Sequence, residues 1–320
     1  MAAIQLPKGV ASAINFKGGT GKTTVAIAIS EGLCRQLRKR VLIIDCDFQC
    51  SASIALLGRR TLNDLIARDE TLDWQLQRAI TGKSNIHLSK AAVPARHCVK
   101  EAADLLFVLP ASPDMPRSER QILAAFLDGT DIHTAYQHAS ARIADLYRSL
   151  LPHFDFILVD CPPGLTLFSE AAIKAADGLV IPTLPSEISL AAVDHLRREI
   201  ARSRPDRELE DLLIGTVISK LRPRSGGGAE HHRQQMKAIE NLLDRAAPGF
   251  RMLKPYLPYC RELEMTTWRD GEAHRLSFEE RYGQHSELVE QLVEEFTIRC
   301  SAHIARRFLD SRSRQRVAAT

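Results

Sequence analysis

The sequence has 320 residues, of which 45% are hydrophobic, 26% charged and 6% aromatic; this composition excludes a disordered or fibrous chain. Its 43 basic and 39 acidic residues leave a formal charge of +4, which is too small to name a partner. No apolar run reaches the roughly 18 residues that a membrane-spanning helix needs, and residues 1–10 contain no signal-peptide core, so we expect a cytoplasmic protein.

Short apolar runs alternate along the chain with longer helical patterns, which is typical of βαβ units around a buried parallel sheet. The apolar runs predict strands at 11–16, 41–45, 104–109, 154–160, 178–182 and 212–219. The helical patterns lie at 22–38, 117–128, 131–151, 165–177, 187–203, 230–246 and 284–309. We therefore predict an α/β fold with a doubly wound, mainly parallel sheet and helices on both faces.

The domain organisation follows from where these patterns weaken. Residues 1–296 are expected to form one domain, with the irregular segment 58–103 as an elaboration; a separate domain there is the less favoured alternative. Ser225–Gly228 predicts a flexible loop after a strand. Residues 297–320 contain six Arg and one Asp, and we interpret them as a helix end followed from Ser311 by a disordered basic tail.

The sharpest motif is Phe-Lys-Gly-Gly-Thr-Gly-Lys-Thr-Thr at 16–24, between a predicted strand and a predicted helix. Glycines let backbone N–H groups surround phosphate oxygens, Lys22 adds a charge for the β and γ phosphates, and Thr23 supplies a hydroxyl for Mg²⁺. Phe16 stands where the strict P-loop pattern has Gly. A glycine-rich turn without a ligand is the alternative, but two uncompensated lysines would gain nothing there.

Two aspartates are the last residues of predicted strands, Asp45 in Asp-Cys-Asp-Phe-Gln and Asp160 in Asp-Cys-Pro-Pro. The carboxyl ends of the strands form the edge where a doubly wound sheet binds its ligand. A single aspartate at such a place is usually a helix cap. With the glycine-rich loop beside them, Asp160 suits Mg²⁺ and Asp45 suits the orientation of a water near the γ-phosphate.

The motifs at 17–24, 45–49 and 160–163 resemble the deviant Walker A, A′ and Walker B motifs of the ParA/MinD ATPases. The resemblance extends through 177–182 and weakly to 258–262, so that it covers about 9–270. Phe48 replaces the Pro that the family often has in its A′ motif.

This resemblance implies ATP and Mg²⁺ as cofactors and an ATP-driven sandwich dimer. In such a dimer Lys17, the signature lysine, reaches the phosphates of the partner. Lys17 and Asp45 are then the catalytic residues, with Thr23 and Asp160 at the metal. The implied nucleotide-binding residues are Lys17, Gly18, Gly19, Thr20, Gly21, Lys22, Thr23 and Thr24.

Members of this family differ in cargo, and the sequence leaves alternatives open. The seven cysteines contain no Cys-x-x-Cys pair, so we expect reduced thiols and no iron-sulfur cluster. Residues 302–309 offer few large apolar side chains for a membrane helix, so membrane binding is the alternative. Nonspecific DNA binding is favoured by basic clusters, each of which could also be a solvated face. The candidate DNA contacts are Arg197, Arg198, Arg222 and Arg224.

We therefore expect a partition ATPase that is slow alone, associates with the nucleoid and is stimulated by a ParB-like or cargo-adaptor protein. Its cargo would be a plasmid, a chromosomal region or a protein. A MinD-like positioning ATPase at the membrane is one alternative, and a nucleotide-binding scaffold without hydrolysis is another. Residues ahead of the first strand are too few for a helix-turn-helix, so operator binding is not expected.

Overall fold

The computed structural model describes residues 5–82, 87–207, 209–220, 234, 237–241, 245, 251–258 and 276–318. Within these ranges one sheet has the order β3-β4-β2-β5-β1-β6-β7, and only the β3–β4 pair is antiparallel. The strands are β1 (Gly9–Ala13), β2 (Val41–Asp45), β3 (Val93–Pro94), β4 (Leu106–Leu109), β5 (Phe156–Asp160), β6 (Gly178–Thr183) and β7 (Leu213–Ile218). The predicted doubly wound, mainly parallel sheet is confirmed.

The described helices connect these strands and lie on both faces of the sheet. They are α1 (Lys22–Leu37), α2 (Ser51–Leu57), α3 (Arg59–Ala67), α4 (Leu72–Ile80), α5 (Met115–Ala124), α6 (Ile132–Arg148), α7 (Leu167–Ala175), α8 (Glu187–Ser203), α9 (Leu209–Leu212), α10 (Phe278–Tyr282) and α11 (Ser286–Ala318). Most of the predicted helix at 230–246 and the predicted loop at 225–228 lie outside the described residues.

Alternate residues of each central strand enter two separate hydrophobic cores, because successive strand side chains point to opposite faces. In β2, Ile43 packs with α1 and α11, while Leu42 and Ile44 pack with α6 and α7. In β5, Leu158 and Val159 divide in the same way. Burial on both faces explains why these strands are continuous apolar runs in the sequence.

The segment predicted as an elaboration contains α3, α4, two short 3₁₀ turns and β3. Its side chains enter both cores: Val99 lies in the core of the α1 face and Leu72 in the opposite core, both fully buried. The segment is therefore packed into the body of the protein. β3 has two residues, and such a short pairing leaves little pattern for a sequence to show.

The C-terminal helix differs from the sequence prediction. α11 continues to Ala318, whereas a disordered tail was expected from Ser311. Residues 284–318 contain neither Gly nor Pro, and the Arg, Gln and Ala of the last turns have high helix propensity, so nothing in the sequence ends the helix. Basic composition was a weaker guide here than backbone propensity.

The N-terminal half of α11 packs on α1 at a position where α1 has no side chain. A Cβ atom on Gly32 would overlap Val293 of α11. Gly32→Ala is therefore expected to lower the free energy of unfolding by about 1–3 kcal/mol, because overpacking outweighs the better helix propensity of Ala. Urea unfolding measures this change. Val293→Ala in the same chain should relieve the overlap, and equal losses in the single and double variants would contradict this packing.

A buried ion pair joins α1 to α10. Glu31 is fully buried, its Oε2 lies 2.9 Å from Nε of Arg281, and the Tyr282 hydroxyl donates to it at 2.5 Å. The Val99 N–H donates to the other oxygen, Oε1, at 3.2 Å. Burial raises the pKa of Glu31, and the Arg281 charge opposes that rise. The ionised pair thus depends on all its partners remaining in place.

Candidate functional site

The glycine-rich loop lies between β1 and α1, at the carboxyl edge of the sheet. Gly19 and Gly21 have φ of 73° and 82°, in the left-handed region that favours glycine. A Cβ on Gly21 would also lie 3.1 Å from Oγ of Ser219. The Asn15 side chain fixes the start of the loop, since it accepts from the Lys17 N–H at 3.0 Å and donates to the Pro182 carbonyl at 2.8 Å. This arrangement explains why β1 ends at Ala13 rather than at the predicted residue 16.

The loop encloses a cavity of about 450 Å³. Its walls combine backbone from the glycine-rich loop with polar side chains from the A′ segment and from Lys220, two residues after β7. The cavity is lined by Gly18, Gly19, Thr20, Gly21, Lys22, Thr23, Thr24, Asp47, Gln49, Ser51, Pro163 and Lys220. Lys220 has a positive φ of 56°, and no local pattern in the sequence places it at this cavity.

Lys22 is a nearly buried cation on the first turn of α1, with 7% of its surface exposed. Its ammonium donates to the Lys17 carbonyl at 3.2 Å. Burial lowers the pKa of Lys22, while the charges of Asp160 and Asp47 act in the opposite direction. An anion in the cavity would offset the cost of burying this cation.

Asp45 and Asp160 are register partners at the carboxyl ends of β2 and β5, and both are fully buried. Oδ2 of Asp45 accepts from the Ser53 N–H at 2.8 Å and from its hydroxyl at 2.7 Å, and Oδ1 accepts from the Asp47 N–H. Burial raises the pKa of Asp45 to about 6 despite these bonds. The two predicted strand-end aspartates thus lie side by side at the carboxyl edge of the sheet.

Asp160 has the environment of a cation ligand. Among the described residues, neither of its buried carboxylate oxygens has a hydrogen-bond partner of normal length and angle, although the Thr23 hydroxyl lies close enough to stabilise the charge. Burial, followed by the charge of Asp45, raises the pKa of Asp160 well above its usual value. An unpartnered buried carboxylate beside a hydroxyl fits a divalent cation that prefers oxygen ligands, so Thr23 and Asp160 could hold Mg²⁺.

Lys17 lies apart from the cavity lining. Its ammonium donates to Oγ of Ser189 at 3.0 Å, and Ser189 in turn pairs with Ser186, which caps α8. The described chain therefore holds Lys17 against its own α8. The role that the family resemblance implies for this lysine, toward a partner's phosphates, stays a prediction.

The candidate DNA contacts are only partly described. Arg197 is half-buried and Arg198 exposed on α8, whereas Arg222 and Arg224 lie outside the described residues. Two further arginines of the basic cluster at 197–207 are ion-paired: Arg202 with Glu199 at 2.6 Å, and Arg204 with Asp206 at 3.0 Å. These pairs reduce the charge that the cluster offers to a polyanion.

Further sequence predictions can be compared with the described residues. Cys34, Cys46, Cys50, Cys98, Cys161 and Cys300 are buried free thiols, and Cys260 lies outside the described ranges. Ile304, which the membrane alternative places on a lipid-facing surface, is 2% exposed and belongs to the core. In the part of the chain that the structure describes, no helix has the length and apolar character needed to cross a bilayer.

A glycine-rich loop between a buried strand and a helix, with carboxylates at adjacent strand ends, defines a P-loop nucleotide-binding protein. A family model described as AAA domain, AAA_31, matches residues 9–210. The chain belongs to this family, within the ParA/MinD group of deviant Walker A ATPases.

Relatives and solved structures agree with this assignment. The chain is 26% identical to the chromosome partitioning protein ParA of Myxococcus xanthus, over 64% of this chain and 64% of that protein. It is 26% identical to the septum site-determining protein MinD of Bacillus subtilis, over 56% and 54% of the two chains. The apo McdA structure from Cyanothece has a TM-score of 0.65 at 20% identity, covering 90% of this chain and 98% of that chain.

Proposed function

We propose that the chain is an Mg²⁺-dependent ATPase that dimerises on ATP, binds DNA nonspecifically in that state and segregates or positions a plasmid, chromosomal or protein cargo. The observation that carries the nucleotide part is the unpartnered Asp160 carboxylate beside Thr23 and the buried Lys22. The ParA relative supports the partition part. A ParB-like or cargo-adaptor protein stimulates hydrolysis, and the protein is cytoplasmic and associated with the nucleoid.

The residues divide the chemistry of hydrolysis between binding and water positioning. The glycine-rich loop and Lys22 bind the phosphates, with Lys22 donating to the β and γ oxygens. When bound at Thr23 and Asp160, Mg²⁺ supplies charge neutralisation on the phosphates. Asp45, held rigidly by Ser53 and by the Asp47 N–H, orients the attacking water. Lys17 stabilises charge on the partner's phosphates after it leaves Ser189.

The DNA part of the proposal predicts a strong dependence on salt. Affinity of the ATP-bound dimer for duplex DNA should fall with ionic strength with a log-log slope near −0.9 per contacted phosphate, and sequence should hardly matter. Two double variants test this: Arg197→Ala combined with Arg198→Ala, and Arg222→Ala combined with Arg224→Ala. Each should make the slope shallower by roughly one unit per lost contact. Fluorescence anisotropy at several salt concentrations measures this slope.

The matched control is a double variant, Arg68→Ala combined with Arg78→Ala, which also removes two positive charges. In the parent, Arg68 is ion-paired with Glu70, and Arg78 with Asp69. This variant should keep the slope of the parent. Absence of DNA binding at about 50 mM salt by ATP-competent protein would refute the DNA part. Binding to liposomes without binding to DNA would favour the MinD-like alternative. Retention of ATP without phosphate release would favour the scaffold.

A further inference from the structure

A second cavity, of about 370 Å³, lies at the opposite end of β7 from the phosphate site. The phosphate cavity includes Lys220, beyond the carboxyl end of β7, whereas the second cavity begins at Asp211 and Leu213. At about 3.3 Å per residue, the span of β7 separates the two sites by roughly 17 Å. The second cavity is thus a site of its own, and the proposed function does not use it.

The wall contributed by α11 is basic and regular. Arg299, His303 and Arg306 succeed one another at helical spacing, so they share one face of the helix, and Arg251 faces them across the cavity. Asp211 is the one acidic residue among the described lining residues, against three arginines. The cavity therefore has a surplus of positive charge.

Arg299 is a guanidinium with an unused donor. Its Nη2 donates to the Met252 carbonyl at 2.9 Å and forms an ion pair with Glu295, which fixes the side chain in place. Its Nη1 is buried and has no hydrogen-bond partner among the residues that the structure describes. A buried charged donor without a partner is costly, so the Arg299 guanidinium keeps hydrogen-bonding capacity that its contacts within the described residues do not use.

His303 lies between the arginines and is oriented by the protein. One ring nitrogen, Nδ1, is 3.2 Å from the Asp211 carbonyl oxygen. Burial lowers the pKa of His303, and the nearby Arg306 acts in the same direction. Both effects favour the neutral ring, which would not add to the repulsion among the arginines.

We propose that this cavity binds a small phosphate-bearing anion through Arg251, Arg299 and Arg306. Guanidinium groups match phosphate oxygens with paired N–H donors. The recessed position of Arg299, with 23% of its side chain exposed, favours a small ligand over a duplex, which would reach only the exposed arginines. Leu213, Ile214 and Ala302 supply an apolar wall for the rest of the ligand.

The test uses pyrophosphate as the probe and the full chain carrying Lys22→Ala, so that the phosphate cavity does not contribute. Isothermal titration at about 100 mM salt without Mg²⁺ is expected to show one pyrophosphate per chain. Arg299→Met and Arg306→Met should each weaken this binding about 10-fold or more. Arg68→Met, which removes an exposed arginine elsewhere, should leave it unchanged.

Unchanged affinity in both variants, or no binding up to about 1 mM pyrophosphate, would overturn the proposal. If Arg299→Met fails to fold, Arg306→Met decides, because Arg306 is exposed and its thermal unfolding can be compared with the parent. A parallel titration with duplex DNA, in the chain that keeps Lys22 and with ATP and Mg²⁺ present, separates the other source of phosphate. If Arg306→Met weakens duplex binding while pyrophosphate does not bind, these arginines contact the DNA backbone and the small-ligand proposal is wrong.

Discussion

Lys22→Ala is expected to abolish tight ATP binding, whereas Asp45→Asn is expected to keep binding and dimerisation and to slow hydrolysis. Lys22 is the buried cation of the phosphate cavity, and loss of a charged donor to phosphate should weaken ATP binding by about 100-fold. Neither Asp45 nor its register partner Asp160 is among the lining residues of that cavity, and both lie at the carboxyl ends of their strands, the sheet edge that carries the glycine-rich loop. Its loss should lower kcat by about 100-fold, because the water loses its orientation.

Two measurements separate these roles. Equilibrium binding of a fluorescent ATP analogue reports the phosphate contacts, and single-turnover phosphate release reports the water. Asp45→Asn keeps the size of the side chain but replaces one oxygen that accepts from a backbone N–H, so its thermal unfolding is compared with that of the parent before the kinetics are interpreted. An equal loss of ATP affinity in both variants would refute this division between Lys22 and Asp45.

Arg281→Met is expected to lower the free energy of unfolding by about 3–5 kcal/mol, because it leaves Glu31 as a buried charge without its cation. The raised pKa of Glu31 shows that its environment already disfavours the carboxylate. Tyr282→Phe should cost less, about 1–2 kcal/mol, since it removes one hydrogen bond and leaves the ion pair. Urea unfolding at pH 7 measures both losses.

A double variant tests whether the buried charge is the cause. Glu31→Gln with Arg281→Met removes both charges and should recover most of the stability lost in Arg281→Met, since no ion remains to be desolvated. The comparison uses the losses of unfolding free energy in Glu31→Gln alone and in Arg281→Met alone. If the loss in the double variant equalled the sum of these two losses, packing of the Arg281 stem rather than charge would hold α10 to α1.

The carboxyl edge of the sheet was predictable because its elements are local. A continuous apolar run such as the one in 41–45 specifies a buried strand, and the last residue of that range must lie at the strand end. Asp45 and Asp160 could therefore be brought together from the sequence alone, although their register required the structure. The glycines of the phosphate loop were informative for the same reason, since their positive φ values are a local requirement.

What the sequence could not show depends on contacts between distant parts of the chain. Lys17 and Ser189 are 172 residues apart, and no local pattern announces their hydrogen bond. The same holds for Glu31 with Arg281 and for the second cavity, which three separate segments form. The continuation of α11 beyond Ser311 has a different cause, because the helix propensity of these residues outweighs the effect of their positive charge.

The resting position of Lys17 has an electrostatic consequence. Ser189 lies in the first turn of α8, where the helix dipole places partial positive charge, and an ammonium there is disfavoured by about 0.3–1 kcal/mol at exposed sites. The Ser189 hydroxyl therefore holds this cation against a local repulsion. If Lys17 contacts phosphates as proposed, its departure from α8 would relieve this repulsion and gain attraction to the phosphates. The N-terminus of α8 thus orients the Lys17 ammonium through one hydrogen bond but binds it only weakly.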